Sequence, residues 1–385
     1  MRILLSFQQD HKEQPYNIPA YRFWGHYIKN GIAEAGMQWT EVPNMDWAAG
    51  LSLLYQNDPV ISEWRDRAWE QTVAYIKNNR ENIDLFLCYL YPKQIDVNAI
   101  KQIQQLGIPC VNFYCDHIRE FKKLPAEFKV FDLMWVPEYE ALKMYSEADI
   151  KHINLPMPMW VDKKFRDHHI TELPLISFIG SKDILRQKLL NEAISKGLDI
   201  SISGNGWIKS DTPKSVNNNS RTSKLANQFK FIRDHGFNDY AVKTWQQFNP
   251  VVAGNISHKN LFPSPDFEDY INLTRNSKIT LGINRVPTYK RLHSNPLVYS
   301  RLRDIEAPML AACYLAEYSE GLNKLYDLDS EIYAYKTADE LVNKANELSG
   351  DKNKRDMLRK NGQQKALNEH AIPASLNKIK AALFK

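Results

Sequence analysis

The sequence predicts an α/β protein built on two parallel sheets, and three observations carry that prediction. Short apolar runs at 84–91, 109–115, 175–179 and 279–283 lack the polar alternation of half-exposed strands, as strands covered on both faces do. Segments of helical periodicity separate the runs, and glycines close two of them, Gly36 after 21–35 and Gly107 after 97–106. The alternation is interrupted at Pro156-Met-Pro-Met-Trp160 and then begins afresh, which divides 385 residues into two domains of ordinary size.

In the first domain, residues 1–165, strands are expected at 3–6, 84–91, 109–115, 131–136 and 150–155. Helices are expected at 21–35, 97–106 and 138–146, between strands, as a parallel sheet requires. The stiff proline stretch and the following Asp167-His168-His169 read as a linker, and the boundary falls within 160–172. The second domain, 166–370, opens with a strand at 175–179, a helix at 185–195 and a strand at 199–203 that ends in Gly204-Asn-Gly-Trp207. From 208 to 250 the pattern lapses; 214–224 is rich in Asn and Ser and is expected to form a loop, followed by a short helix at 241–248. The alternation resumes with Val251-Val252, a helix at 267–277 and the strand 279–283. A helix bearing Glu306, the strand 313–316, an acid-led helix, an acidic turn into a further strand, and helices at 338–348 and 354–366 complete the domain. The tail, 371–385, reads as a helix after Pro373 that packs back on the first domain.

Composition narrows the classes. Hydrophobic residues at 43% and charged residues at 25% are those of a globular protein, and a net charge of +5 suits small anionic partners or lipid head groups without arguing for nucleic acid. Met1 to Phe7 is too short for a signal peptide core, and no apolar run is long enough to span a membrane. The four cysteines lie in or beside strand-like runs without metal-type spacing, so they read as buried reduced thiols of a cytoplasmic protein, with contact at the inner membrane face left open.

In open parallel sheets ligands sit beyond the carboxyl ends of strands, so the residues just after each strand are the candidates. Gly180-Ser181-Lys182 follows 175–179 and leads into a helix whose first turn holds Arg186; exposed N–H groups and a cation there suit phosphate oxygens. Gly204 and Gly206, with Trp207, permit close backbone approach at the next strand end. Arg285, after 279–283, opens a cationic stretch with Lys290, Arg291, His293, Arg301 and Arg303, a set able to neutralise a leaving diphosphate. Glu306 sits among Ala307, Met309, Leu310 and Ala311, where a carboxylate needs partners: ribose hydroxyls, or Arg301 or Arg303. Glu317-Tyr318-Ser319 follows 313–316. In the first domain Asp116 and His117 follow 109–115 as a hydrogen-bonding or base pair, with Arg119, Lys122 and Lys123 suited to an anionic acceptor and Gln8-Gln9-Asp10-His11 as a second acceptor loop. His258-Lys259 and 264–267, which precede the helix leading to the strand 279–283, are further candidates. Asp167-His168-His169 and Asp327-Leu-Asp329 lack the spacing and setting of a metal site, and none is expected.

The stretch Glu306-Ala-Pro-Met-Leu-Ala-Ala-Cys-Tyr-Leu-Ala-Glu-Tyr, then Glu320-Gly-Leu and Asp329-Ser-Glu-Ile, resembles the C-terminal signature of CgeB-like, spore-maturation-type glycosyltransferases, relatives of the two-domain nucleotide-sugar transferases. The resemblance implies a GT-B-like fold, two Rossmann-like domains facing a central cleft, with the donor on the C-terminal domain. It places Arg186 where the family carries a phosphate-binding lysine and Ser181 where it carries an arginine. It implies ribose binding by Glu306, sugar and phosphate contacts by Glu317, Tyr318 and Ser319, and a donor-facing Asp116 or His117. Ala311 stands where the family has glycine, and Val298 where the E-x7-E pattern has its first glutamate. The implied activity is metal-independent transfer of a sugar from a UDP or GDP donor to a hydroxyl of a glycan, lipid-linked or other acceptor, with retention and no cofactor; a nucleic acid acceptor stays open. A nucleotide-sugar epimerase or hydrolase, and a sugar-binding or scaffold protein, are the alternatives.

Overall fold

A computed structural model of the chain describes residues 1–7, 19–53, 58–167, 169–208, 237–248, 252–286 and 296–384. It divides into two compact units. The first comprises Met1–Phe165, Ser300–Glu306 and Lys365–Lys385. The second comprises Arg166–Tyr299 and Ala307–Gln364.

The first unit is built on six strands: β1 Arg2–Leu5, β2 Gln38–Glu41, β3 Leu85–Cys88, β4 Cys110–Phe113, β5 Leu133–Val136 and β6 His152–Asn154. They pair in the order β2-β1-β3-β4-β5-β6, every pairing parallel, with Ile3 opposite Leu85, Phe86 opposite Cys110 and Val111 opposite Leu133. All residues of β3, β4 and β5 are buried, as strands covered on both faces must be. The edge strand β2, with two of its four residues exposed, carries no such apolar run in its sequence Gln-Trp-Thr-Glu. Helices Trp47–Leu53 and Asp58–Asn78 also belong here, joined to the sheet by Trp69, whose indole donates to the Gln94 carbonyl at 2.8 Å. The C-terminal helix Ile372–Leu383 packs on the helix Pro19–Glu34 at Gly31, where a Cβ would stand 2.5 Å from Ile372. Only glycine permits that approach.

The second unit holds β7 Leu173–Ile179, β8 Ile200–Ser203, β9 Leu261–Phe262, β10 Ser277–Gly282, β11 Arg285–Val286, β12 Leu297–Val298, β13 Tyr314–Glu317 and β14 Tyr333–Tyr335. Six of them form a parallel sheet in the order β14-β13-β10-β7-β8-β9, and β11 pairs antiparallel with β12. Phe178, Ile200, Ile279, Leu315 and Leu341 are among its core residues. Arg359 is buried against the sheet and donates to the carbonyls of Arg275, Ala311 and Ser277 at 2.7, 2.9 and 2.7 Å, respectively. Two parallel-sheet domains of Rossmann type are thus present, as the alternating pattern predicts. Two details depart from it: the helix expected at 241–248 begins at Phe237, and Val252 is exposed and outside any strand. The segments 8–11, 214–224 and 290–293, with His168 and Val251, lie outside the described residues.

Candidate functional site

In the second unit the ends of β7 and β8 build one joined double loop. Gly180 N–H donates to the Ser203 carbonyl at 2.9 Å, and Lys182 N–H to the Asn205 carbonyl at 2.8 Å. The Trp207 indole donates to the Gly180 carbonyl at 2.7 Å, and the Lys182 ammonium lies 5.8 Å from the Trp207 ring centre. Gly204 and Gly206 hold positive φ angles of 125° and 85°, backbone that side chains resist. Asp183 caps the helix Ile184–Ser195, accepting from Leu185 and Arg186 N–H groups at 2.9 Å each. Arg186 folds back over this loop, its Nη1 reaching the Ser181 carbonyl at 3.0 Å and its Nε the Asp183 carboxylate at 3.1 Å. Gly180 to Lys182, Arg186 and Gly204 to Trp207 therefore come together, with the arginine already held by Ser181 and Asp183. A pocket of about 550 Å³ adjoins the loop, lined by Lys182, Asp183, Gln187 and Gly254 among others.

The neighbouring strand ends add a buried ion pair. The Glu317 carboxylate, at the end of β13, accepts from Asn284 and Arg285 N–H groups at 3.2 and 3.1 Å and from Arg285 Nε at 2.8 Å. Both side chains are largely buried, at 3% and 14% exposure, so the guanidinium answers the carboxylate and is not presented alone. Ser319 Oγ caps the helix Glu320–Leu325, and the Tyr318 hydroxyl donates to Glu320 at 2.6 Å while Lys336 stacks on its ring at 4.1 Å. Asp327 accepts from Asp329 N–H within its own turn. Among the described residues no group of three or more His, Cys, Asp or Glu is placed to hold a metal.

In the first unit the end of β4 carries Tyr114 to His117. His117 and Glu138 are fully buried; His117 Nδ1 meets Glu138 Oε2 at 3.1 Å, and the Tyr145 hydroxyl meets Nε2. The expectation that His117 meets a sugar is corrected by this arrangement: both ring nitrogens are spent inside the protein. Asp116 is different. Its carboxyl is partly exposed, pairs with Arg119 at 3.2 Å, and lies near Glu120, Glu138 and Arg301. Burial, opposed by Arg119 and reinforced by Glu120 and Glu138, pushes it up to about 6. Tyr89 and Tyr91 share a hydroxyl hydrogen bond at 3.0 Å, Tyr91 packs on Tyr114 at 5.1 Å, and Tyr114 donates to Glu120, so aromatic rings wall this strand end. Arg303 and Glu306 also belong to the first unit, 3.7 Å apart, and the Tyr27 phenol, pushed up by burial first and then by the Glu306 charge, lies nearby.

A glycosyl transferase-like family profile matches residues 186–381, just over half of the chain. The chain belongs to the glycosyl transferase-like family. No curated protein matches it. Among solved structures, a glycosyltransferase from Rickettsia africae is 12% identical, with a TM-score of 0.57 over 100% of this chain and 99% of that one. Sucrose-phosphate synthase from Thermosynechococcus elongatus is 13% identical, at 0.56 over 100% and 98%. The Anabaena protein HepE, determined in complex with UDP and glucose, is 11% identical, at 0.53 over 100% and 99%. At these identities the likeness is one of fold, the GT-B arrangement of two Rossmann-like domains.

For this glycosyl transferase-like chain, Gly180, Ser181, Lys182, Arg186, Gly204, Gly206 and Trp207 come together, and Arg285 with Glu317 follows on adjacent strands. Glu138, Tyr145, Tyr91 and Tyr27 were absent from the sequence-derived set. Glu138 had a signal like that of Asp116, a polar residue just beyond a buried strand, here after Pro137. Tyr145 and Tyr27 lie on helices and had none. No helix among the described residues is long and apolar enough to cross a membrane.

Proposed function

We propose that the chain is a CgeB-like glycosyltransferase that moves a sugar from a nucleoside-diphosphate donor to an acceptor hydroxyl, without a metal and with retention of configuration. The donor sits on the second domain and the acceptor side on the first. The observation that carries the reading is the double loop of Gly180–Lys182 and Gly204–Trp207, whose glycine backbone and neighbouring Lys182 and Arg186 suit a diphosphate at adjacent strand ends. Family membership supports the reaction class, and HepE's complex with UDP and glucose makes UDP the first base to test.

In this reading Lys182 and Arg186 meet the diphosphate, Arg186 exchanging Asp183 for phosphate, while Arg285 and Glu317 hold the loop that faces the leaving group. The family resemblance assigns the ribose hydroxyls to Glu306, a residue that the fold groups with the first unit and that also lies near Tyr27. Tyr318 and Ser319 line the sugar side. Asp116 accepts a hydrogen bond or proton from the acceptor hydroxyl, and His117 acts from behind it. Glycans and lipid-linked glycans are the acceptor classes to screen first, a lipid-linked one bringing the enzyme to the inner membrane face.

A thermal-shift screen of UDP, GDP and their sugars, with and without EDTA, tests the proposal. Ligand at about a hundred times its Kd adds roughly 2.7 kcal/mol of stability. A shift for one base that EDTA leaves intact supports it, and no shift with any nucleotide removes it. Donor consumption without an acceptor would point instead to the epimerase or hydrolase reading.

A further inference from the structure

The buried polar cluster behind Asp116 lies at the ends of two interior strands, β4 and β5. Three separate elements supply it: His117 at the start of the short helix His117–Glu120 that Asp116 precedes, Glu138 in the loop after β5, and Tyr145 from the helix Leu142–Glu147. All three are fully buried. Glu138 Oε2 accepts from His117 Nδ1 at 3.1 Å and from the Ile118 N–H at 3.2 Å, while its Oε1 has no hydrogen-bond partner among the described residues. In the tautomer that gives its Nδ1 proton to Glu138, His117 Nε2 accepts from the Tyr145 hydroxyl, and burial, then the Glu138 charge, raises that phenol. A buried carboxylate with an unsatisfied oxygen costs stability, and apolar residues would pack the same volume without that cost. The cluster's hydrogen bonds fall on residues 117 and 118, immediately after Asp116.

We propose that Glu138, His117 and Tyr145 form a positioning relay: their hydrogen bonds fix the turn at 116–118 and so aim the Asp116 carboxylate. This rests on the reading that Asp116 meets the acceptor hydroxyl. None of the three need touch substrate. The groups that face Asp116 are Arg119 and Glu120 on its own short helix, Glu138 after β5, Arg301 from the segment Ser300–Glu306, and the phenols Tyr91 and Tyr114.

The test uses the full chain labelled with ¹³C at aspartate carboxyl carbons, with Asp116→Asn to assign the Asp116 signal, alongside turnover of UDP-glucose. Tyr145→Phe is expected to move the Asp116 resonance at fixed pH and to lower kcat about tenfold or more with KM changed little, as small misplacements do. Glu138→Gln, which removes a neighbouring negative charge, is expected to lower the Asp116 titration midpoint. His117→Asn keeps a donor at the Nδ1 position and should retain more activity than His117→Ala. An Asp116 signal and midpoint unchanged in both Tyr145→Phe and Glu138→Gln overturn the relay, whatever happens to activity or melting temperature. A wild-type chain that turns over no nucleotide sugar counts against the transferase reading alone, since the carboxyl titration still decides the relay.

Discussion

The backbone of Gly204 and that of Gly180 lie so close that a Cβ on Gly204 would stand 2.4 Å from the Gly180 carbonyl oxygen. That carbonyl is also the acceptor for the Trp207 indole. The two loops are therefore one unit, and the glycine is required twice, by contact and by its φ of 125°.

Gly204→Ala is expected to cost of order 3 kcal/mol, since a strained φ adds to a clash with backbone that cannot rotate away. Urea denaturation measures the loss, and UDP titration should show binding weakened as the loops part. Unchanged stability would mean that the loops separate freely.

Arg285→Ala leaves the Glu317 carboxylate, 3% exposed, without its cation. The expected loss is about 3–5 kcal/mol. Arg285→Lys should recover only part of it, because a point charge cannot reproduce the guanidinium's two-nitrogen contact. A denaturation series on the two variants checks both statements.

Asp116 ties stability to pH. With its carboxyl pushed up to about 6 by burial first of all, the folded chain holds this proton more tightly than the unfolded chain. Its contribution is present in full below about pH 4 and is lost as pH rises through about 6, a difference of about 3 kcal/mol. Asp116→Asn should remove that part of the slope and be the more stable protein at pH 7, while transfer activity falls. Parallel pH–stability curves for the two proteins would refute this.

Ala311 sits at φ 57°, in the left-handed region that costs an alanine about 1 kcal/mol or more. Its carbonyl is held there by Arg359 at 2.9 Å. Ala311→Gly should relieve the strain and raise stability by roughly 0.5–1 kcal/mol after the entropy of the unfolded glycine is counted. A lowered melting temperature would show that the alanine methyl packs better than its backbone suffers.

Glu306→Ala removes the partner of both Tyr27 and Arg303 and should cost about 1–3 kcal/mol of stability. If the carboxylate also holds ribose, UDP affinity falls as well. Calorimetry with UDP separates the two effects, and unchanged affinity removes the ribose role.

Runs such as Leu-Phe-Leu-Cys in β3 and Ile-Thr-Leu-Gly in β10 announced the parallel sheets, because a strand buried on both faces must be apolar at consecutive positions. Glycines at 204 and 206 were legible for a similar reason: no other residue takes those backbone angles cheaply. The edge strand β2 was not legible, since an exposed strand imposes no apolar run. Side-chain partners were beyond reach too. Arg186 folding onto Ser181 and Asp183, His117 closed between Glu138 and Tyr145, and Tyr27 answering Glu306 are contacts between residues up to 279 positions apart, the separation of Tyr27 from Glu306. Local sequence carries backbone preference and burial pattern, which are properties of each segment. Whether a charge or a ring nitrogen is open to a ligand depends on what the folded chain brings against it, and that is a property of the assembled domain.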